Sequence, residues 1–286
     1  MKINEFKEGL ELKGQPLFIK DYTSGVASNG KEYLNVFLSD NTSNIEGKFW
    51  GVDEKIKSTI KKGQVMLVDG SCLSYKNILQ LKIINLSVVD QETINIEDFI
   101  ISSSIPKDEL KSSIDKAVAL IENHILKDIV TNMLRKYEND FYQYPAACKI
   151  HHDFISGLAL HVNGMLSLGL NMAKIYPNIN KDLLISGIIL HDIGKITEFS
   201  DPVATEYTTE GKLIGHISLM QSDISQMALY LGYSLDQEEV ILLRHMILSH
   251  HGHLEFGSPV LPLIREAELL FFIDNIDSRM NILDKA

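Results

Sequence analysis

Up to about Asp90 the apolar positions recur at every second residue. In "EYLNVFLSD" Leu34, Val36 and Leu38 fall on one face and Tyr33, Asn35 and Phe37 on the other, the alternation of a strand with one buried side. "NIEGKFWG" repeats it, with Ile45, Gly47 and Phe49 against Glu46, Lys48 and Trp50. "QPLFIKDY", "QVMLVDGSCL" and "NILQLKIINLSVV" supply three more strands, and in the last Leu79, Leu81 and Ile83 alternate with Gln80 and Lys82. A short helical stretch, "DEKIKSTIKKG", separates the third strand from the fourth. Five short strands with a helix in that place predict an oligonucleotide/oligosaccharide-binding (OB) barrel over residues 1–90, with other small barrels as the alternative.

Residues 91–108 follow neither period and read as a linker. From Pro106 onward the spacing turns helical, with Lys107, Asp108 and Glu109 in a first turn. Seven helical stretches follow, among them "FISGLALHVNGMLSLGLNMAKIY", "KDLLISGIILHD", "LIGHISLMQSDISQMALYLG" and "QEEVILLRHMILSHH". The fold class expected is therefore multidomain α and β, with a small N-terminal β-barrel followed by an all-α domain over residues 109–286.

One helical stretch ends abruptly. Leu183 to Leu190 is apolar on almost every side and would be buried, yet it runs straight into His191 and Asp192, then Gly194 and Lys195. Polar groups carried inward are costly unless they are paired or bind a metal. A His–Asp pair alone fits a buried hydrogen bond as well as a ligand set.

The histidines change the picture. Nine of the ten lie between positions 151 and 253. His161 heads the apolar row Met165, Leu168 and Met172, His216 heads Leu219, Met220 and Ile224, and Asp274 follows "LLFFI". Several helices that each present His or Asp at the inner end of an apolar run point to a metal centre built between facing helices. Imidazoles mixed with carboxylates suit Mn, Fe, Co or Zn rather than a lone Mg.

Charge agrees with that division. The net charge is −11, but residues 1–95 hold 12 Lys and 12 acidic residues and are neutral, so the surplus lies in the helical part. A neutral barrel can carry a local nucleic-acid surface: Tyr33, Phe37, Lys48, Trp50, Gln80 and Lys82 share the outward face, with Tyr75 in the turn before the last strand. Aromatics to stack bases and lysines to follow phosphates are what a single-strand platform needs. Trp50 could equally plug the barrel. The two cysteines, Cys72 and Cys148, make no disulfide framework, and a reducing cytoplasm is expected. The N-terminus lacks the apolar core of a secretory signal, and no stretch is long enough for a membrane helix.

The ordered series His161, His191-Asp192, His216, His250 and Asp274 resembles that of the HD-domain metal-dependent phosphohydrolases. "NVFLSDNTSNIEGKFW", "HHDFISGLALHV", "GIILHDIGK", "GHISLM" and "LSHHGHLEFGSP" narrow the resemblance to the YhaM-type 3′-5′ exoribonucleases, which join an OB fold to an HD domain. The resemblance implies a dinuclear centre of divalent ions, Mn²⁺ foremost, acting on single-stranded RNA and in some cases DNA. His161, His191, Asp192 and Asp274 would hold one ion. Asp192 would bridge to a second held by His216 and His250, with His251 as a further ligand or a group near substrate. Lys195 would meet a phosphate oxygen, and His151 and His152 would lie on the substrate side. His245 and His253 are expected to be structural. Family members usually carry a short further tail beyond "MNILDKA", and at that point the sequence departs from their pattern. A homo-oligomer would help an acidic domain accept a polyanion. Two other readings compete: an HD phosphohydrolase of small nucleotides, and a non-catalytic single-strand-binding protein with a structural metal. The segment "HHGHLEFGSP" lacks the GYP that marks cyclic-dinucleotide phosphodiesterases.

Overall fold

Alternation builds the first unit. In a computed structural model, which describes residues 1–27, 30–52, 54–146, 154–203 and 205–284, the chain divides into two compact units, Met1–Ser102 and Ser103–Ala286. The division falls inside the stretch expected as a linker. The first unit holds β1 (Glu11–Val26), β2 (Glu32–Ser39), β3 (Asn44–Trp50), α1 (Glu54–Thr59), β4 (Val65–Tyr75) and β5 (Ile78–Val88). They close into a barrel in the order β1-β2-β3-β5-β4. Only β3 and β5 pair in parallel, which is possible because α1 and β4 lie between them in sequence. That is the OB arrangement.

Strand β1 is longer than the sequence predicts. Its irregularities at Leu12/Gln15 and Ile19/Asp21 let its first half pair with β4 and its second with β2. Bulges of this kind bend a strand and sharpen its twist, so one chain segment spans the closure. The same irregularity hides β1 from a period-two reading, since Leu17, Phe18 and Ile19 are all buried in a row. Elsewhere the alternation holds: Leu34, Val36, Leu38, Ile45, Phe49, Leu81 and Ile83 fill the barrel.

The second unit is helical: α2 (Lys107–Ala119), α3 (His124–Lys136), α4 (Glu138–Phe141), α5 (Gly157–Ile175), α6 (Lys181–Leu190), α7 (Lys195–Glu198), α8 (Thr209–Leu213), α9 (His216–Tyr230), α10 (Glu238–Ser249) and α11 (Arg265–Asp284). At its centre α6 packs against α2, α3, α5, α10 and α11. All eight residues from Leu183 to Leu190 are buried, as expected of a helix that is apolar on every side. Its start is set by Asn180, whose side chain accepts a hydrogen bond from the Leu183 amide. Helix α5 begins at Gly157, later than the apolar pattern suggests, because Ser156 takes a left-handed conformation with φ 63°. Among the described residues no helix is long and apolar enough to cross a membrane.

Candidate metal centre

Helix α6 delivers His191 and Asp192 to the centre of the helical unit, and a tight turn leads away from them. The turn runs close to the start of α9: a Cβ on Gly194 would lie 2.3 Å from the backbone oxygen of His216. Glycine is therefore what lets His216 come within reach of Asp192. His161 projects from α5, His250 and His251 follow α10, and Asp274 lies midway along α11.

These side chains form two groups of candidate ligand atoms, each within 4.8 Å: His161, His191 and Asp274 in one, His216, His250 and His251 in the other. Asp192 faces both. Its Oδ2 lies 3.3 Å from His191 Nε2, and its Oδ1 lies 3.6 Å and 3.7 Å from the Nε2 atoms of His216 and His250.

The ring orientations are fixed from behind. Nδ1 of His191 donates to the Ile188 carbonyl at 2.8 Å, that of His250 to Ile247 at 2.7 Å, and that of His251 to Phe256 at 2.8 Å. Nδ1 of His161 meets Asp277 Oδ2 at 2.7 Å, and Nδ1 of His216 meets Glu198 Oε1 at 3.2 Å. In a neutral ring held this way Nδ1 keeps the proton, and Nε2 carries the lone pair and points inward, as in metal-ligating histidines.

A divalent cation fits this donor set. Nε2 of His191, His216 and His250 and Oδ1 of Asp192 are buried without a hydrogen-bond partner among the described residues. Buried polar atoms almost always find partners, and three imidazole nitrogens left without one around a carboxylate whose Oδ1 also lacks one are accounted for when cations complete the site. Burial pulls the His250 imidazole below its usual range and His251 down to about 4, with the His250 charge adding to the latter. Both are thus neutral and able to ligate near pH 7. Burial pushes the Asp192 carboxyl up, but Lys195 and His191 overcome this and hold it well below the ordinary carboxylate range. Burial is likewise outweighed at Asp274, where His161 keeps the carboxylate ionised.

Lys195, expected to meet a phosphate oxygen, is buried, and its Nζ lies 2.6 Å from Asp192 Oδ2. His151 and His152 lie outside the described residues. His245 accepts a hydrogen bond from the Leu263 amide at 3.0 Å, and His253 packs on the rings of Phe256 and Phe271. Two groups escaped the sequence reading: Asp277, one turn beyond Asp274, and Glu198, seven residues after His191. The spacing from Asp274 could have flagged the first, whereas nothing local distinguishes Glu198 from a surface acid.

On the barrel, register places the outward residues in rows across β2, β3 and β5. Tyr33 pairs with Trp50, Asn35 with Lys48 and on to Lys82, and Phe37 with Glu46 and on to Gln80. Trp50 does not plug the barrel; it is 43% exposed and lies against Tyr33 with ring centroids 4.8 Å apart. Lys48 Nζ lies 5.8 Å from the centroid of the Tyr33 ring. Tyr75 is the last residue of β4 rather than part of the turn, and it is exposed beside Lys76.

Residues 158–279 match the HD domain family. The chain is 44% identical over 273 residues to the 3′-5′ exoribonuclease YhaM of Bacillus subtilis (strain 168), covering 95% of this chain and 86% of that one. It is 42% identical to the YhaM protein of Geobacillus sp. (strain WCH70), covering 94% of this chain and 83% of that one. Among solved structures, the second OB-fold domain of replication protein A from Methanococcus maripaludis is 20% identical with a TM-score of 0.27, covering 33% of this chain and 98% of that one. The barrel assignment stands on the strand order instead.

Proposed function

Because the chain belongs to the family of the 3′-5′ exoribonuclease YhaM, we propose that it removes nucleotides from the 3′ end of single-stranded RNA and releases nucleoside 5′-monophosphates. Single-stranded DNA is a second substrate in this reading. The observation that carries it is the inward convergence of the His191, His216 and His250 Nε2 atoms on Asp192. Two divalent cations would be held by His161, His191 and Asp274 and by His216, His250 and His251, with Asp192 shared. Mn²⁺ stands foremost on the family resemblance, and Fe²⁺, Co²⁺ or Zn²⁺ also accept such a mixed N/O set. When bound, such a pair neutralises phosphate charge and makes water a competent nucleophile near pH 7.

The protein's own residues do the remainder. The backbone carbonyls behind His191, His250 and His251 hold each ring in one tautomer, so ligand geometry is set before substrate arrives. Lys195 neutralises Oδ2 of Asp192, the oxygen that also faces His191, and leaves Oδ1 facing His216 and His250. In this reading its ammonium also meets a phosphate oxygen, and His151 and His152 lie on the substrate side. The barrel binds the strand through Tyr33, Phe37, Trp50 and Tyr75, with Lys48 and Lys82 following the phosphates. An acidic helical unit that must accept a polyanion favours a homo-oligomer whose subunits share a channel, and the absence of a disulfide framework favours a cytoplasmic protein.

Incubation with Mn²⁺ and 5′-labelled single-stranded RNA tests the reading. A ladder shortening from the 3′ end, abolished by chelator, is the expected result. Hydrolysis of mononucleotides alone, or a gel shift without cleavage, would overturn it.

A further inference from the structure

The five ligand histidines are not backed alike. Three rest on neutral backbone carbonyls, but His161 rests on the Asp277 carboxylate at 2.7 Å and His216 on the Glu198 carboxylate at 3.2 Å. The two exceptions are divided between the two ligand groups, one in each.

Both carboxylates are seated deliberately close. A Cβ on Gly164 would lie 2.3 Å from Asp277 Oδ1, and a Cβ on Gly211 would lie 2.3 Å from the Glu198 backbone oxygen and 2.9 Å from its Cγ. Gly164 stands one turn after His161 on α5, so any larger residue there would push Asp277 off the imidazole. Glu198 is buried and receives both the His216 amide, at 3.1 Å, and the His216 ring nitrogen. A buried carboxylate behind an imidazole raises the basicity of the opposite nitrogen and strengthens it as a ligand.

We propose that Asp277 and Glu198 are positioning residues that separately set the affinity of the two cation sites, Asp277 through His161 and Glu198 through His216. The inference rests on the two-cation reading above. It adds that each site has its own control, so the sites can be weakened one at a time without touching a ligand.

The test is calorimetric titration of metal-free full-length protein with Mn²⁺, backed by metal analysis and by thermal melting without metal. Asp277→Ala should weaken one binding step by about 10–100-fold, the usual effect of losing such a partner, and Glu198→Ala the other. Asp277→Asn and Glu198→Gln should give smaller losses, because an amide oxygen still accepts from Nδ1 but carries no charge. His216→Ala, which removes a ligand of the second group, isolates the first. In that background Asp277→Ala should weaken the remaining step and Glu198→Ala should not. In a His161→Ala background the order should reverse. Gly164→Ala, which alters no polar group, should behave like Asp277→Ala. Wild-type protein binding two ions, with both steps unmoved in the variants or both moved equally by each, would overturn the inference and spare the two-cation reading. Wild-type protein binding a single ion would overturn both.

Discussion

Lys195 Nζ lies 2.6 Å from Asp192 Oδ2, three residues along the chain, and both groups are buried. Without cations Lys195 balances the Asp192 carboxylate, beside a His250 imidazole whose pKa burial lowers. Removing one partner of a buried pair costs about 3–5 kcal/mol because the other charge is stranded. Lys195→Met should therefore lower the stability of metal-free protein by about that amount. Saturating Mn²⁺ should shrink the deficit, since the cations then neutralise Asp192. Denaturant melts with and without metal check this, and an equal deficit in both would show that Lys195 acts elsewhere.

Asp192→Asn keeps the shape of the side chain and removes the charge that both ligand groups share. Turnover of RNA should fall by orders of magnitude while binding of a long single strand persists. The check is single-turnover cleavage beside filter binding with chelator-treated, Mn²⁺-reconstituted protein. Near-normal cleavage would remove Asp192 from the bridging role.

Gly194→Ala asks whether the turn after α6 sets the position of His216. Its Cβ would meet the His216 backbone 2.3 Å away, and backbone has no rotamer through which to escape. Overpacking of this kind typically costs about 1–3 kcal/mol. The variant should lose Mn²⁺ binding at the His216 group first, read as a drop in bound metal at sub-saturating concentration. Unchanged metal content and melting temperature would mean that the turn is free to shift.

Metal affinity should also depend on pH in a definite direction. Burial alone would lower the His161 pKa, but the hydrogen bonds and charges of Asp274 and Asp277 raise it to about 9. A protonated imidazole cannot ligate, so below about pH 9 the first cation must displace a proton. Affinity at that group should rise from pH 6.5 to 8.5, with proton release visible in buffers of different ionisation enthalpy. The sign for folding is opposite. A raised histidine pKa stabilises the metal-free protein fully below about pH 6.5, and this stabilisation is lost as pH rises through about 9. Melting of metal-free wild type and Asp277→Asn across that range separates this contribution from the rest.

The barrel prediction separates binding from chemistry. Base stacking on an aromatic is worth about 1–3 kcal/mol per base, so Tyr33→Ala combined with Phe37→Ala should markedly weaken binding of long RNA. Turnover of a trinucleotide should change little. Added salt should weaken the long substrate further, as lysine–phosphate contacts release counterions. Comparing kcat/KM on the two substrates decides it, and equal losses on both would assign the aromatics to the fold.

What the sequence determined by itself was whatever periodicity and residue type can encode locally. Alternation around Leu34–Leu38 and Ile45–Phe49 specified inward and outward faces, because a strand has no other way to bury half of its side chains. The run from Leu183 to Leu190, broken only by Ser186 and Gly187, specified a central helix, because a helix apolar on all sides must be buried all round. The ordered His and Asp positions marked a candidate ligand set, and the family resemblance arranged it in two groups. Tertiary structure decided the rest. The closure of β1 depended on irregularities that break the period, so a local pattern could not show its length. The backing of His161 by Asp277 and of His216 by Glu198 joins residues 116 and 18 positions apart, and neither carboxylate differs locally from a solvated one. Lys195 appeared in sequence as a cation near a phosphate. Only the packing of α6 and the turn after it turned its ammonium onto Asp192, because a buried charge must be met by whatever opposite charge the fold brings nearest.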